Sequence, residues 1–276
     1  MPDQPGSQSL KDKATYPERM DVFKIDVTKD EDIDSAYQHV SSTLKGDEKL
    51  WGLVNNAGIL RMGPIELGDF DYFVRDQFDV NVFAVVKVTR KFSPLIRGAK
   101  GRVVVLSSVA SRISLSPLAA YCMTKHAITA FCDCLRCEVA KSGVSVISIE
   151  PYFYDTRLLN SSHLSGLDDK CWQTSDEGLR KIFGVSNYKK LVCDFLSLLK
   201  LQGIGANQDP SEVHKTVVKA LIDPEPLYRY VCCSWILKPL LLMGNIVPRE
   251  IFLFVYRKVF QFIAHHESSR KKVHGE

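Results

Sequence analysis

The run Leu50-Trp51-Gly52-Leu53-Val54, closed by Asn55-Asn56-Ala57-Gly58, constrains this chain more than any other feature. A continuous apolar run bounded by turn residues fits a strand buried on both faces. Two similar runs follow at residues 103–107 and 144–149, and a shorter β-rich run, Met-Asp-Val-Phe-Lys-Ile-Asp-Val, precedes them at residues 20–27. Helical patterns separate the runs. Residues 30–44 place Ile33, Ala36, Tyr37 and Val40 on one stripe. Residues 70–96 carry a long helical pattern, read as two helices or one bent helix, and residues 119–142 carry another that Gly143 stops. Strands that alternate with helices predict an α/β fold, a doubly wound and mostly parallel sheet. After Pro151 the regularity fades: residues 152–190 read as loops and short helices around a pocket, and residues 188–201 and 210–222 as helices.

A chain of 276 residues, 45% hydrophobic and 25% charged, can bury the core of one large α/β domain. The net charge of +4, with no basic stripe interleaved by aromatics, argues against nucleic acid as a partner. Of the eight cysteines, Cys132, Cys134 and Cys137 share one predicted helix, where positions i and i+2 point apart. No Cys pair repeats at a zinc spacing, so the cysteines read as small buried residues in a reducing compartment and no metal is expected. The first twenty residues are polar and lack the apolar centre of a signal peptide. No stretch of about 18 uncharged apolar residues predicts a spanning helix. The His265-His266 pair beside a basic tail reads as solvated.

Tyr121 and Lys125 are four apart on a predicted helix and so share a face. Ser107 and Ser108 end an apolar strand upstream of them, and a strand end followed by a helix start is where an open α/β sheet places its ligand. The residue types suit carbonyl–alcohol chemistry, in which a proton moves while a hydride moves. Free tyrosine, with a pKa near ~10, exchanges protons poorly at neutral pH. An ammonium at about 4–5 Å contributes roughly 3–4 kcal/mol at an effective dielectric near 20, and would lower that pKa by about two units. Ser108 would hold the substrate oxygen against Tyr121. Asn81, after Asp76-Gln77-Phe78-Asp79-Val80, would interrupt the helix there and hold a water near Lys125.

Leu53-Val54-Asn55-Asn56-Ala57-Gly58, the Ser108/Tyr121/Lys125 set and Asn81 together resemble the short-chain dehydrogenase/reductase family, from about residue 20 to residue 156. Segments at 51–59, 92–108, 120–139 and 144–151 resemble its membrane-associated branch of retinol, 17-beta-hydroxysteroid and D-beta-hydroxybutyrate dehydrogenases. The resemblance implies a Rossmann-like fold and an NAD- or NADP-dependent oxidoreductase acting on a secondary alcohol or ketone, such as a steroid, a retinoid or a hydroxy acid. It implies Tyr121 as acid/base, Lys125 on the nicotinamide ribose, Ser108 orienting substrate and Asn81 completing a tetrad. It further implies cofactor contacts at Asp26 and Val27 near adenine, at Asn55, Ala57 and Gly58 along the adenine-ribose side, and at Thr156.

Two departures accompany the resemblance. The family's opening strand and TGxxxGxG turn, whose backbone N–H groups hold the pyrophosphate, have no counterpart here; Gly6 is the only glycine before Gly46. The family's Pro-Gly is Pro151-Tyr152 in this chain, with Thr156 still in register. The reading is therefore a sheet lacking its first strands, divided into a disordered lead (1–19), a truncated Rossmann-like domain (20–227) and an apolar, basic, helical extension (228–276). The alternative is a catalytically impaired splice form or fragment that acts by binding or at a membrane. Residues 228–264 mix apolar runs with Arg229, Lys238, Arg249, Arg257 and Lys258, a pattern that fits peripheral membrane contact. The branch points to the endoplasmic reticulum or the mitochondrion. The expected partner is an apolar small molecule; a homo-oligomer is allowed and its order is unspecified.

Overall fold

Valine and isoleucine set the sheet. In the computed structural model, Arg102–Leu106 (β2) and Ser145–Pro151 (β3) form the centre of a four-stranded parallel sheet. Gly52–Asn55 (β1) flanks β2 on one side and Arg229–Cys232 (β4) flanks β3 on the other. The structure describes residues 10–154, 156, 169–199 and 209–235, and scattered positions from 238 to 258.

Side chains alternate across the central strands. Val103, Val105 and Val146 face one layer, where Ala84–Ala99 (α2) and Ala119–Val139 (α3) supply Val85, Ile96, Ile128 and Cys132. Val104, Ile147 and Ile149 face the other, covered by Ala220 of Ser211–Ile222 (α6) and by Cys232. Residues such as Ile147 and Val104, with no exposed surface, each contribute on the order of 1.5–3 kcal/mol. Helices thus cover both faces, as expected of a doubly wound sheet.

Asp30–Thr43 (α1) packs against α2. The expected bent helix at 70–96 is one continuous helical path. Two π-helical segments, Asp71–Arg75 and Asp79–Phe83, lead into α2, and Asn81 lies in the second. Wide turns of this kind recur at functional positions. The α3 helix ends through a short 3₁₀ turn at Gly143, whose φ of +71° is left-handed and costs glycine little. Glu177–Phe183 (α4) and Val185–Leu199 (α5) follow, with a further helical turn at residues 169–174.

Three readings need correction. Residues 20–26 run without a strand partner, so their β-rich composition yields no ladder. The strand read at 50–54 begins at Gly52 and is only partly buried until Asn55, because it lies at the edge of the described sheet. The strand β4 was not foreseen; it adds to β3 in parallel, with Ser148 opposite Arg229. A buried ion cluster fastens it: Glu150, fully buried, accepts from Arg112 and from Arg229 Nε at 2.6 Å, and Ser148 donates to it at 3.2 Å.

Candidate active site

The C-terminal ends of β1, β2 and β3 open toward one apolar cluster. Leu60, Met62, Phe73, Leu118, Tyr121, Phe153, Cys171 and Tyr188 are buried in it, with Tyr72 and Tyr152 packed against its side. Four of the expected residues converge there, and all are buried: Ser108, Tyr121, Lys125 and Asn81. Ser108 caps the short helix Val109–Ser111 by accepting from Ala110 N–H at 3.1 Å, and its hydroxyl also reaches Pro151 O at 3.4 Å. Tyr121, from the first turn of α3, hydrogen-bonds Ser108. Lys125 lies one turn on, with Nζ 5.5 Å from the centre of the Tyr121 ring.

Asn81 acts as a clamp. Its amide accepts from Ile59 N–H at 2.8 Å and donates to Ile59 O at 2.9 Å. The same nitrogen lies 3.2 Å from Thr124 Oγ1, whose hydroxyl donates to Tyr121 O at 2.7 Å. Thr124 therefore ties Asn81 to the backbone of Tyr121. Sequence reasoning missed Thr124, although it lies between Tyr121 and Lys125 on one face of the helix. It missed Gln77 as well, whose buried side-chain oxygen accepts from Arg61 N–H at 2.9 Å and extends the clamp by one turn.

The electrostatics reverse one expectation. Burial pushes the Tyr121 hydroxyl up to about 12, and the Ser108 hydrogen bond opposes this only in part. Burial likewise pushes Lys125 down to about 8. The ammonium donates to Leu106 O at 3.0 Å instead of pairing with the phenol oxygen. Desolvation outweighs attraction here because both groups are taken out of water together.

The residues expected on the cofactor side are less united. Val27, Asn55 and Ala57 share the lining of a cavity of about 250 Å³ outside β1. Asn55 is pinned there by donating to Thr89 Oγ1 at 3.0 Å. Gly58 sits by the tetrad: a Cβ added to it would meet Asn81 Oδ1 at 3.4 Å and Lys125 Nζ at 3.9 Å. The backbone can thus approach a ligand closely over Lys125. Asp26 is not among the residues that line this cavity: it is half-buried, accepts from Thr28 N–H and Oγ1, and its carboxyl is lowered by those bonds. Thr156 is exposed and has no described contact with the cluster. Lys125 spends one of its three N–H donors on Leu106 O, which leaves two for a diol such as a ribose. The donor set at Lys125, with no Cβ over it at Gly58, is of the kind that suits the ribose of a nicotinamide cofactor. For a diphosphate, the described residues supply no glycine-rich turn leading into a helix, and the sequence has no TGxxxGxG. Among the described residues there is also no group of three metal-binding side chains.

Residues 4–165 match the family model described as short chain dehydrogenase. The chain is 34% identical over 230 residues to mitochondrial D-beta-hydroxybutyrate dehydrogenase of Bos taurus, covering 82% of this chain and 65% of that protein. It is 36% identical over 226 residues to retinol dehydrogenase 16 of Mus musculus, covering 82% of this chain and 68% of that protein. The chain thus spans less than two thirds of the length of the hydroxybutyrate dehydrogenase. Among solved structures it is similar to a short-chain dehydrogenase from Streptomyces avermitilis, at 26% identity and a TM-score of 0.65, over 92% of this chain and 85% of that one.

Proposed function

The chain belongs to the short-chain dehydrogenase family, and on that premise we propose that it is an oxidoreductase interconverting an alcohol and its carbonyl counterpart. The observation that carries this reading is the convergence of buried Ser108, Tyr121, Lys125 and Asn81 on one apolar cluster. NAD or NADP, when bound, supplies or takes the hydride. Lys125, Gly58, Asn55, Ala57 and Val27 are the residues proposed to hold it. Ser108 hydrogen-bonds the substrate oxygen. Tyr121 gives its proton to that oxygen as negative charge develops during reduction, and takes it back during oxidation. Burial keeps this phenol protonated up to about 12, so the proton is in place, and its transfer relies on the negative charge that builds on the substrate oxygen. Asn81 and Thr124 hold the backbone of both partners in place. The names of the relatives span a hydroxy acid and retinol, so hydroxy acids, retinoids and steroids form the proposed substrate range. The test is cofactor-coupled turnover across such a panel. Tyr121→Phe should lose about 10³-fold or more of the rate with unchanged circular dichroism; equal rates in the two proteins would end the catalytic assignment.

A second reading, a binding protein without catalysis, is favoured by the absence of a diphosphate turn and by Tyr152 where the family carries glycine. Titration with NADH and NADPH separates the two. Micromolar binding contradicts the second reading, and no binding at millimolar cofactor contradicts the first.

We also propose peripheral contact with a membrane of the endoplasmic reticulum or mitochondrion. Among the described residues no helix is long and apolar enough to cross a bilayer. Trp235 is 81% exposed, and Leu227, Tyr228, Ile251 and Phe254 are exposed too, with Lys238 and Lys258 among them in sequence. Apolar side chains flanked by cations suit the headgroup boundary. Most of residues 236–264, and His265 and His266, lie outside the described residues. Flotation with anionic liposomes should carry the full chain and leave behind a variant with Trp235→Ser, Ile251→Ser and Phe254→Ser, all at exposed positions; if both stay in the soluble fraction, the contact is disproved.

A further inference from the structure

Arg61 occupies an unusual position for a cation. It lies between Leu60 and Met62, both buried in the cluster that contains Tyr121. Its backbone is fixed on both sides, through Ile59 by Asn81 and through its own N–H by Gln77. Its guanidinium carbon stands 4.2 Å from the centre of the Tyr72 ring, and its Nε is buried without a hydrogen-bond partner. Lys170, from the helical turn at 169–174, brings a second cation to the same ring, with Nζ 3.0 Å from its centre. The two charges can be no farther apart than these two distances combined.

The pair is held in register by the packing beneath it. The turn at 169–174 docks on the loop after β1: Gly68 N–H donates to Ser175 Oγ at 2.8 Å and Asp69 N–H to Thr174 Oγ1 at 3.1 Å. Cys171 fills the space that a Cβ at Gly63 would need. Arg102, Arg112 and Arg229 show how this fold treats structural guanidiniums. Arg102 donates to Ala220 O and Asp223 O, while the other two share Glu150. Arg61 and Lys170 have no carboxylate within ion-pair distance among the described residues. The Tyr72 ring attracts both cations but cannot neutralise them.

We propose that Arg61 and Lys170, stacked on Tyr72, form a subsite for the carboxylate of the substrate, so that the substrate is a hydroxy acid or keto acid. This rests on the oxidoreductase reading for the chemistry at Tyr121. A carboxylate supplies an acceptor for the orphaned Nε and a counter-charge for both cations. Guanidinium recognises it through paired N–H donors, and the lysine adds a point charge. An uncharged retinoid or steroid would leave both cations and the buried Nε uncompensated.

The probe pair is 3-hydroxybutyrate and its methyl ester, which differ at the carboxylate alone. Calorimetric binding to the full chain is measured first, with and without NADH. The acid should bind at least about 30-fold more tightly than the ester, and Arg61→Met or Lys170→Met should each reduce that ratio about tenfold or more. Lys170→Met, at a partly exposed position, serves if Arg61→Met does not fold. Steady-state kinetics should show the loss mainly in KM for the acid. Equal binding of acid and ester, absence of acid binding, or an unchanged ratio in the variants overturns the subsite. Selective acid binding without turnover upholds the subsite and overturns the oxidoreductase reading instead.

Discussion

The two ends of the sheet's working edge differ sharply. Around β2 and β3 nearly every position is buried, cations have acceptors, and Glu150 joins the loop after Ser108 to β4. Around β1 the strand is only partly buried, and its outer side borders the cavity of about 250 Å³ beside Ile25 and Val27. The proton-handling residues are built from the first region, by β2, α3 and the π-helical turn of Asn81. The proposed cofactor contacts Val27, Asn55 and Ala57 belong to the second. Proton handling thus draws mainly on the first region and dinucleotide support on the second, with Lys125 and the Asn81–Ile59 clamp joining the two.

The largest expected difference lies in stability. Glu150→Ala leaves two guanidiniums short of a buried counter-charge and should cost about 3–5 kcal/mol. Leu53→Ala, on the partly open strand, should cost about 1 kcal/mol, since its neighbours are already loosely packed on one side. Urea denaturation of both variants checks this; equal losses would remove the distinction between the two regions.

Next in size is Lys125→Met. Below pH 8 Lys125 is charged in folded and unfolded states alike, and its burial costs stability in full. Between about 8 and the ordinary 10.5 the folded protein has released the proton while the unfolded chain keeps it, so stability rises with pH there. Tyr121, raised to about 12 from 10.0, works the other way: the folded state holds the extra proton, and stability falls between those values. Lys125→Met should abolish turnover, yet stabilise the fold by about 2–3 kcal/mol at pH 7. It should also flatten the rise above pH 8 in a denaturation series against pH. A destabilised variant with the rise intact would contradict this.

The smallest effect is expected from Val88→Leu, which adds one methylene beside the cavity outside β1. It should raise stability by about 0.5–1 kcal/mol, whereas Val104→Leu in the filled centre should lower it by about 1–3 kcal/mol. A loss at both positions would mean that the space outside β1 is not available to a side chain.

Much of this architecture is legible in the sequence because its signals are local. Continuous valine and isoleucine runs mark β2 and β3, and Gly143 marks the end of α3. The asparagine in a helical run marks the wide turn of Asn81. The strand β4 escaped notice because its partner, β3, is remote in sequence and Arg-Tyr-Val-Cys alone carries little pattern. Residues 20–26 misled for the reverse reason: their composition favours a strand, but a strand exists only when paired. Ser108, Tyr121 and Lys125 follow from spacing and a strand end, and Asn81 from the family resemblance that the neighbouring motifs carry. The direction of the Tyr121 and Lys125 shifts does not, since it depends on how much water the fold removes. Arg61 carried a faint signal, a lone cation between apolar neighbours, which became informative only once Tyr72 and Lys170 were seen beside it.

The central claim is that this chain holds a working proton-transfer site for carbonyl–alcohol chemistry. The most direct measurement uses NADH and NADPH deuterated at the transferring carbon, with acetoacetate and retinal as acceptors, and mass spectrometry of the alcohol formed. Deuterium should appear in one product with the full chain and fall to less than about a hundredth of that with Tyr121→Phe. Absence of deuterium from every product, or equal incorporation by the two proteins, would contradict the account.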